Sequence, residues 1–311
     1  MELKDDVMTR VADERELPSL LDLWTTVFDA DASVFTCEYY SFPPEHRKTF
    51  VAEVDGELVS SVQLFGIPMR DEQNKAMMVG GIANVSTLPE FRGRGLAQNL
   101  LKASIAEMHS QGYGWSFLFT GRHSFYEQLG WRIMHRSYLE GVIVGADLPE
   151  KSTRVQIQAV PDLARLRALN EASFETPLSR IRGDLDWEFR IPVRIAQKAV
   201  FMSESAYAIV REDAVNAVLE EWGMPTPSIE AFEDLLVAAT RWAESQKLQR
   251  LVVSAPILAE ARQALESLFP TVRNVEESEA MVRPISSSWP MSRLISLFRL
   301  PDARFFRADN F

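Results

Sequence analysis

Arg92-Gly93-Arg94-Gly95 joins an apolar strand pattern, Met77 to Thr87, to a helical pattern starting at Leu96. No other stretch restricts the architecture as much. A strand that feeds a helix through so tight a loop must lay the helix back on its own sheet, which calls for a layered α/β fold. Leu96, Ala97, Leu100, Leu101, Ile105 and Met108 fall on one helical face, and Gly112 marks the stop. The loop also has chemical meaning. A helix start offers backbone N–H groups with no intrahelical acceptor and the positive end of the helix dipole. Glycines at 93 and 95 allow that backbone to approach a bulky anion, and Arg92 and Arg94 add charge matched to phosphate oxygens. The spacing lacks the Gly-Lys-Ser/Thr of a triphosphate loop and the Gly-x-Gly-x-x-Gly of a dinucleotide loop, so a diphosphate cradle is the expectation.

Around this loop, Val7 to Val11 reads as a strand and Ala12 to Asp31 as one amphipathic helix. Phe50 to Val54 and Glu57 to Met69 read as strands joined by Asp55-Gly56, a strong hairpin signal. Trp115 to Thr120 is an apolar strand, Ser124 to Leu129 a short helix, and Trp131 to Val144 a returning strand. Gly145 to Thr153 is a turn-rich connector, after which the order begins again. Arg154 to Val160, Ala206 to Arg211, Asn216 to Trp222, Leu251 to Ser254 and Glu279 to Ile285 read as strands. Pro161 to Ala172, Ile229 to Gln246 and Leu258 to Leu268 read as helices. The expected organisation is two α/β units, 1–145 and 154–285, followed by a tail, 286–311. Each unit should be a mixed twisted sheet flanked by helices.

Composition narrows the partners. A chain of 311 residues can bury two cores, and 46% hydrophobic with 25% charged residues is ordinary for a globular protein. No stretch approaches the roughly 20 apolar residues of a membrane helix, and the start lacks the basic and apolar runs of a secretory signal. One cysteine, Cys37, cannot form an internal disulfide and suits a reducing cytoplasm. A net charge of -11 disfavours nucleic acid and anionic membrane as partners. His46, His109, His123 and His135 show no metal spacing, so no metal site is expected.

Arg92-x-x-Gly95-x-Ala97, after a strand ending Val85-Ser86-Thr87 and Pro89, resembles the signature motif of the GNAT N-acetyltransferase superfamily. Ser124-Phe125-Tyr126-Glu127-Gln128-Leu129-Gly130-Trp131 resembles its second landmark. The resemblance covers about the first 145 residues. More narrowly the chain resembles the enhanced-intracellular-survival group, which places two such domains before a third; the match departs after residue 285, where the short tail is expected to be too short for a complete third domain. The resemblance implies acetyl transfer from acetyl-CoA to a primary amine in a ternary complex. By it, Arg92, Gly93, Arg94, Gly95, Leu96, Ala97 and Gln98 would hold the diphosphate, and Val85, Ser86 and Thr87 would pair with the pantetheine arm. The Val85 N–H would polarise the thioester carbonyl, and Tyr126 would donate a proton to the departing thiolate. The Phe311 carboxylate would reach the same site as base; the alternative is that Phe305, Phe306 and Phe311 only staple the tail onto the second unit. An isolated tyrosine would read as a packing aromatic; inside this motif Tyr126 reads as catalytic. Asn84, His123, Asp31 and Glu38 are secondary candidates, each with a surface or structural alternative. The second unit has Gly223-Met224-Pro225-Thr226-Pro227 where a cofactor loop would stand, with two residues lacking N–H donors and no arginine, so only the first unit should be catalytic. The acceptor stays open between a small amine, which is favoured, and a protein lysine or N-terminus. A non-catalytic acyl-CoA sensor is the rival from another class.

Overall fold

The computed structural model describes residues 7–144, 146–149, 154–253 and 259–305. The first half runs β1 (Val7–Val11), α1 (Leu17–Phe28), α2 (Ala32–Tyr40), β2 (Arg47–Val54), β3 (Glu57–Arg70), β4 (Ala76–Thr87) and α3 (Leu96–Ser110). It continues through β5 (Trp115–Phe119), α4 (His123–Glu127), β6 (Arg132–Ile133) and β7 (Arg136–Val142). The second half runs β8 (Gln156–Ile157), α5 (Leu163–Ser173), α6 (Ile191–Ile195), β9 (Ala199–Met202), β10 (Tyr207–Asp213), β11 (Asn216–Gly223) and α7 (Ile229–Ser245). Then follow β12 (Arg250–Val253), α8 (Ala259–Leu268), β13 (Val272–Glu277), β14 (Ala280–Pro284) and α9 (Met291–Phe298).

Among the described residues these strands form two seven-stranded mixed sheets, β1-β2-β3-β4-β5-β14-β6 and β8-β9-β10-β11-β12-β7-β13. Read side by side, the orders are the same topology twice: an antiparallel run, one parallel step after a helix, then two antiparallel strands. The repeat expected from element order is therefore present as a fold. The expected boundary at 145–153 does not separate the sheets, because the halves exchange a strand. β7 lies between β12 and β13 of the second sheet, and β14 returns to lie between β5 and β6 of the first. Trp131 to Val144 is accordingly two strands in two sheets, broken at Met134-His135.

Local chemistry explains the other differences. The helix expected over Ala12 to Asp31 ends at Phe28, where Asp29 adopts φ 51°. Asp31 then caps α2 by accepting from the Ser33 N–H at 2.7 Å. The strand expected at Arg154 to Val160 shrinks to Gln156–Ile157. Residues 286–311 are docked in their described part, on the first sheet. Leu294 and Leu297 of α9, with Trp289 and Phe305, are buried against Phe65, Val79, Trp115 and Phe117 on one face of the first sheet. α3 covers the other face through Leu100, Leu101 and Met108. It lies so close to β4 that a Cβ on Gly80 would stand 2.1 Å from the Met108 sulfur. Among the described residues no helix is long and apolar enough to cross a membrane.

Candidate active site

The site starts from two irregularities in β4. Its register against β3 jumps between Ser61↔Ser86 and Gln63↔Ala83, so Asn84 and Val85 together oppose one residue, a β-bulge. Asn84 takes φ 47° there. It is held by its own Nδ2 donating to Gln63 Oε1 at 2.6 Å, while its carbonyl accepts from Ser61 Oγ at 3.2 Å. Ser61 is fixed in turn by the Trp24 indole N–H at 2.8 Å. On its other side β4 pairs with β5 only at Gly80↔Ser116 and Gly81↔Phe117. Beyond that step Val85 has no ladder partner on either strand, and a cavity of about 820 Å³ opens between the parted strands.

The glycine loop forms one end of this cavity. Gly93 and Gly95 take φ of 77° and 75°, the left-handed region open to glycine. Gly95 caps α3, whose first bond runs from the Asn99 N–H to the Gly95 carbonyl at 3.0 Å. The N–H groups of Leu96, Ala97 and Gln98 are thereby left to other acceptors. A Cβ added at Gly93 or Gly95 would meet no atom within 4 Å, so the space above the loop is open, as a diphosphate requires. Of the ten residues expected to bind the cofactor, Val85, Thr87, Arg92, Gly93, Gly95, Leu96, Ala97 and Gln98 line the cavity. Ser86 does not: it is 1% exposed and turned to the core side, with its hydroxyl 2.8 Å from Ser61 Oγ. Arg94 does not line it either; its guanidinium lies 5.0 Å from the Phe91 ring centre. Arg92 is anchored by donating from Nε to the Thr87 carbonyl at 3.1 Å.

Tyr126 lines the opposite side. Edge-on contacts with Phe125 and Trp131 hold its ring, at 5.0 and 6.2 Å between centres. Burial pushes its phenol up to about 12, against a smaller opposing effect of the Arg122 charge. No described residue hydrogen-bonds its hydroxyl. Asp31 serves as the cap of α2, and Phe311 lies outside the described residues.

A second cavity, about 570 Å³, adjoins the first at Phe119, which lines both. Here Glu38 of α2 faces Arg190 and Arg194 of the second half. Burial raises the Glu38 carboxyl to about 7, with the Arg194 charge acting the other way. Sequence reasoning kept Glu38 only as a secondary candidate and missed Phe119 and the arginines. The signal available for the latter was the density of arginine from 180 to 194 in an acidic chain.

Residues 8–134 match the family model of the acetyltransferase (GNAT) domain. No curated protein matches the chain in sequence. Similar solved structures include a conserved protein of unknown function from Enterococcus faecalis V583, with 19% identity, 90% of this chain and 72% of that one covered, and a TM-score of 0.69. Eis1 from Mycobacterium abscessus shares 13% identity over 90% of this chain and 74% of its own, with a TM-score of 0.67. A GCN5-related N-acetyltransferase from Anabaena variabilis shares 15% over 90% and 73%, with a TM-score of 0.68. At these identities the likeness is one of fold, and it extends across both sheets.

Proposed function

We propose, from the premise that residues 8–134 of this chain are a GNAT acetyltransferase domain, that it transfers an acetyl group from acetyl-CoA to a primary amine held beside Phe119. The observation that carries the reading is the bulge at Asn84 and Val85 in the parting of β4 from β5. It sets Val85, a residue with no ladder partner, on the wall of a cleft that ends on the α3 N-terminus. The diphosphate of acetyl-CoA rests on the N–H groups of Leu96, Ala97 and Gln98, with Arg92 beside it. The pantetheine arm extends along Val85 to Thr87, and the Val85 N–H donates to the thioester oxygen as negative charge develops there.

An acceptor arriving as an ammonium first gives one proton to a base. Its nitrogen then bonds to the acyl carbon as the carbon–sulfur bond breaks, and the second proton leaves the nitrogen as the thiol gains one. Tyr126 serves the sulfur. A phenol near 12 stands above a free thiol at about 8.5, so full transfer to the thiolate is uphill. Its contribution is a hydrogen bond to the sulfur while charge accumulates there, with the nitrogen's proton completing the thiol.

Thiol release from acetyl-CoA over a set of primary amines tests this. Activity with at least one amine is expected, and Tyr126→Phe should lower kcat by about 10²-fold with acetyl-CoA affinity unchanged. Tight acetyl-CoA binding without thiol release for any amine would make the domain a sensor instead.

A further inference from the structure

The second cavity is built by both halves. Cys37 and Glu38 of α2 and Phe119 of β5 face Arg190, Val193 and Arg194 across it. A π-helical turn, Asp186–Arg190, runs directly into α6 and sets Arg190 and Arg194 along the far wall. Such turns are costly and recur where a side chain must be aimed. The Cys37 thiol donates to the Phe189 carbonyl at 3.8 Å, which ties α2 to that turn.

Charge inside the cavity is divided unevenly. Glu220 is committed to Arg211 at 2.6 Å and to Lys198, and Asp213 to Arg211 at 3.2 Å. Glu38 differs, since no described residue hydrogen-bonds its carboxylate. Three guanidiniums line the same walls. A ligand with several ammonium groups would find one uncommitted carboxylate, since Glu220 and Asp213 are already held by Arg211 and Lys198. A ligand with one ammonium and one carboxylate would match Glu38 and Arg194 together. Val34 and Val193 add apolar surface, and the volume suits a molecule of amino-acid to dipeptide size.

Resting on the acetyltransferase reading above, we propose that this cavity is the acceptor site and takes a zwitterionic primary amine, its ammonium on Glu38 and its carboxylate on Arg194. The ammonium proton passes to the Glu38 carboxylate, and the freed nitrogen attacks the acyl carbon past Phe119.

Thiol release with leucine, leucinamide and spermidine reads the assignment. Leucine should exceed leucinamide in kcat/KM by about 10-fold or more, the effect of one charge-assisted hydrogen bond, with spermidine lower still. Arg194→Gln should bring the leucine-to-leucinamide ratio close to one through KM for leucine, without moving KM for acetyl-CoA. Glu38→Gln should lower kcat for both. Leucinamide or spermidine used as well as leucine, with thiol release intact, overturns the acceptor assignment and leaves the acetyltransferase reading standing. If none of the three releases thiol although acetyl-CoA binds, the wider set of primary amines decides the acetyltransferase reading. Calorimetry then judges the cavity alone: leucine binding that is lost in Arg194→Gln keeps the assignment, and no binding to either protein removes it.

Discussion

Glu38 is a carboxylate kept from water next to a guanidinium, and that placement has a thermodynamic cost. Its folded pKa of about 7 stands above the ordinary 4.5, so between those values the folded protein holds a proton that the unfolded chain releases. Stability from this group is therefore full below about 4.5 and is lost as pH rises through 7. Glu38→Gln removes the titration. Relative to that variant, the wild-type protein should lose about 1–2 kcal/mol between pH 5 and pH 8 in urea denaturation, after discounting for the partial exposure of the residue. Parallel behaviour of the two proteins would mean that Glu38 is solvated. The same residue shows what sequence alone can miss. A glutamate on a helix reads as surface until the arginines more than 150 positions away fold against it.

At the scale of elements, the glycine loop and α3 act as one unit. A side chain at Gly95 would have to adopt φ 75°, at roughly 1–2 kcal/mol, and would project into the open space above the helix start. Gly95→Val should leave the protein folded and weaken acetyl-CoA binding by at least about 10-fold by calorimetry. Wild-type affinity in a folded variant would remove the cradle from the site. This element was legible in advance because its determinants are local: a strand pattern, two glycines and an amphipathic run all within residues 77–108. The corresponding element of the second half, β11 to α7, differs for one local reason and several distant ones. Its helix start is capped by its own Ser228, which accepts from the Ala231 N–H at 3.2 Å. Past its parallel step, β11 carries Glu221, locked by Arg182 at 2.5 Å and Tyr207 at 2.6 Å. Trp222 follows, with the Arg304 guanidinium 4.5 Å from its ring. Glu221 and Trp222, both buried, are thus held by side chains of their own half and of the C-terminal segment.

The whole molecule is held together by the exchange of β7 and β14. A fragment of residues 1–145 would carry β7 without its partners and would lack the strand between β5 and β6. It would also expose Trp115 and Phe117, which α9 and Phe305 cover. Such a fragment should aggregate or fail to give a folded far-UV circular dichroism spectrum, while the full chain is folded. A monomeric fragment that binds acetyl-CoA would show the exchange to be dispensable. The sequence by itself determined the two α/β repeats, the glycine loop that opens α3, the short helix carrying Tyr126 and the lack of such a glycine loop before α7. Each is written in residues close together in the chain, where periodicity, glycine and proline act directly on the backbone. The strand exchange, the inward turn of Ser86, the stacking of Arg94 and the cavity joining Glu38 to Arg194 were decided only by tertiary structure. A β-strand's alternation does not say which sheet will accept it, and a charge acquires its meaning from neighbours that packing, not sequence, brings near.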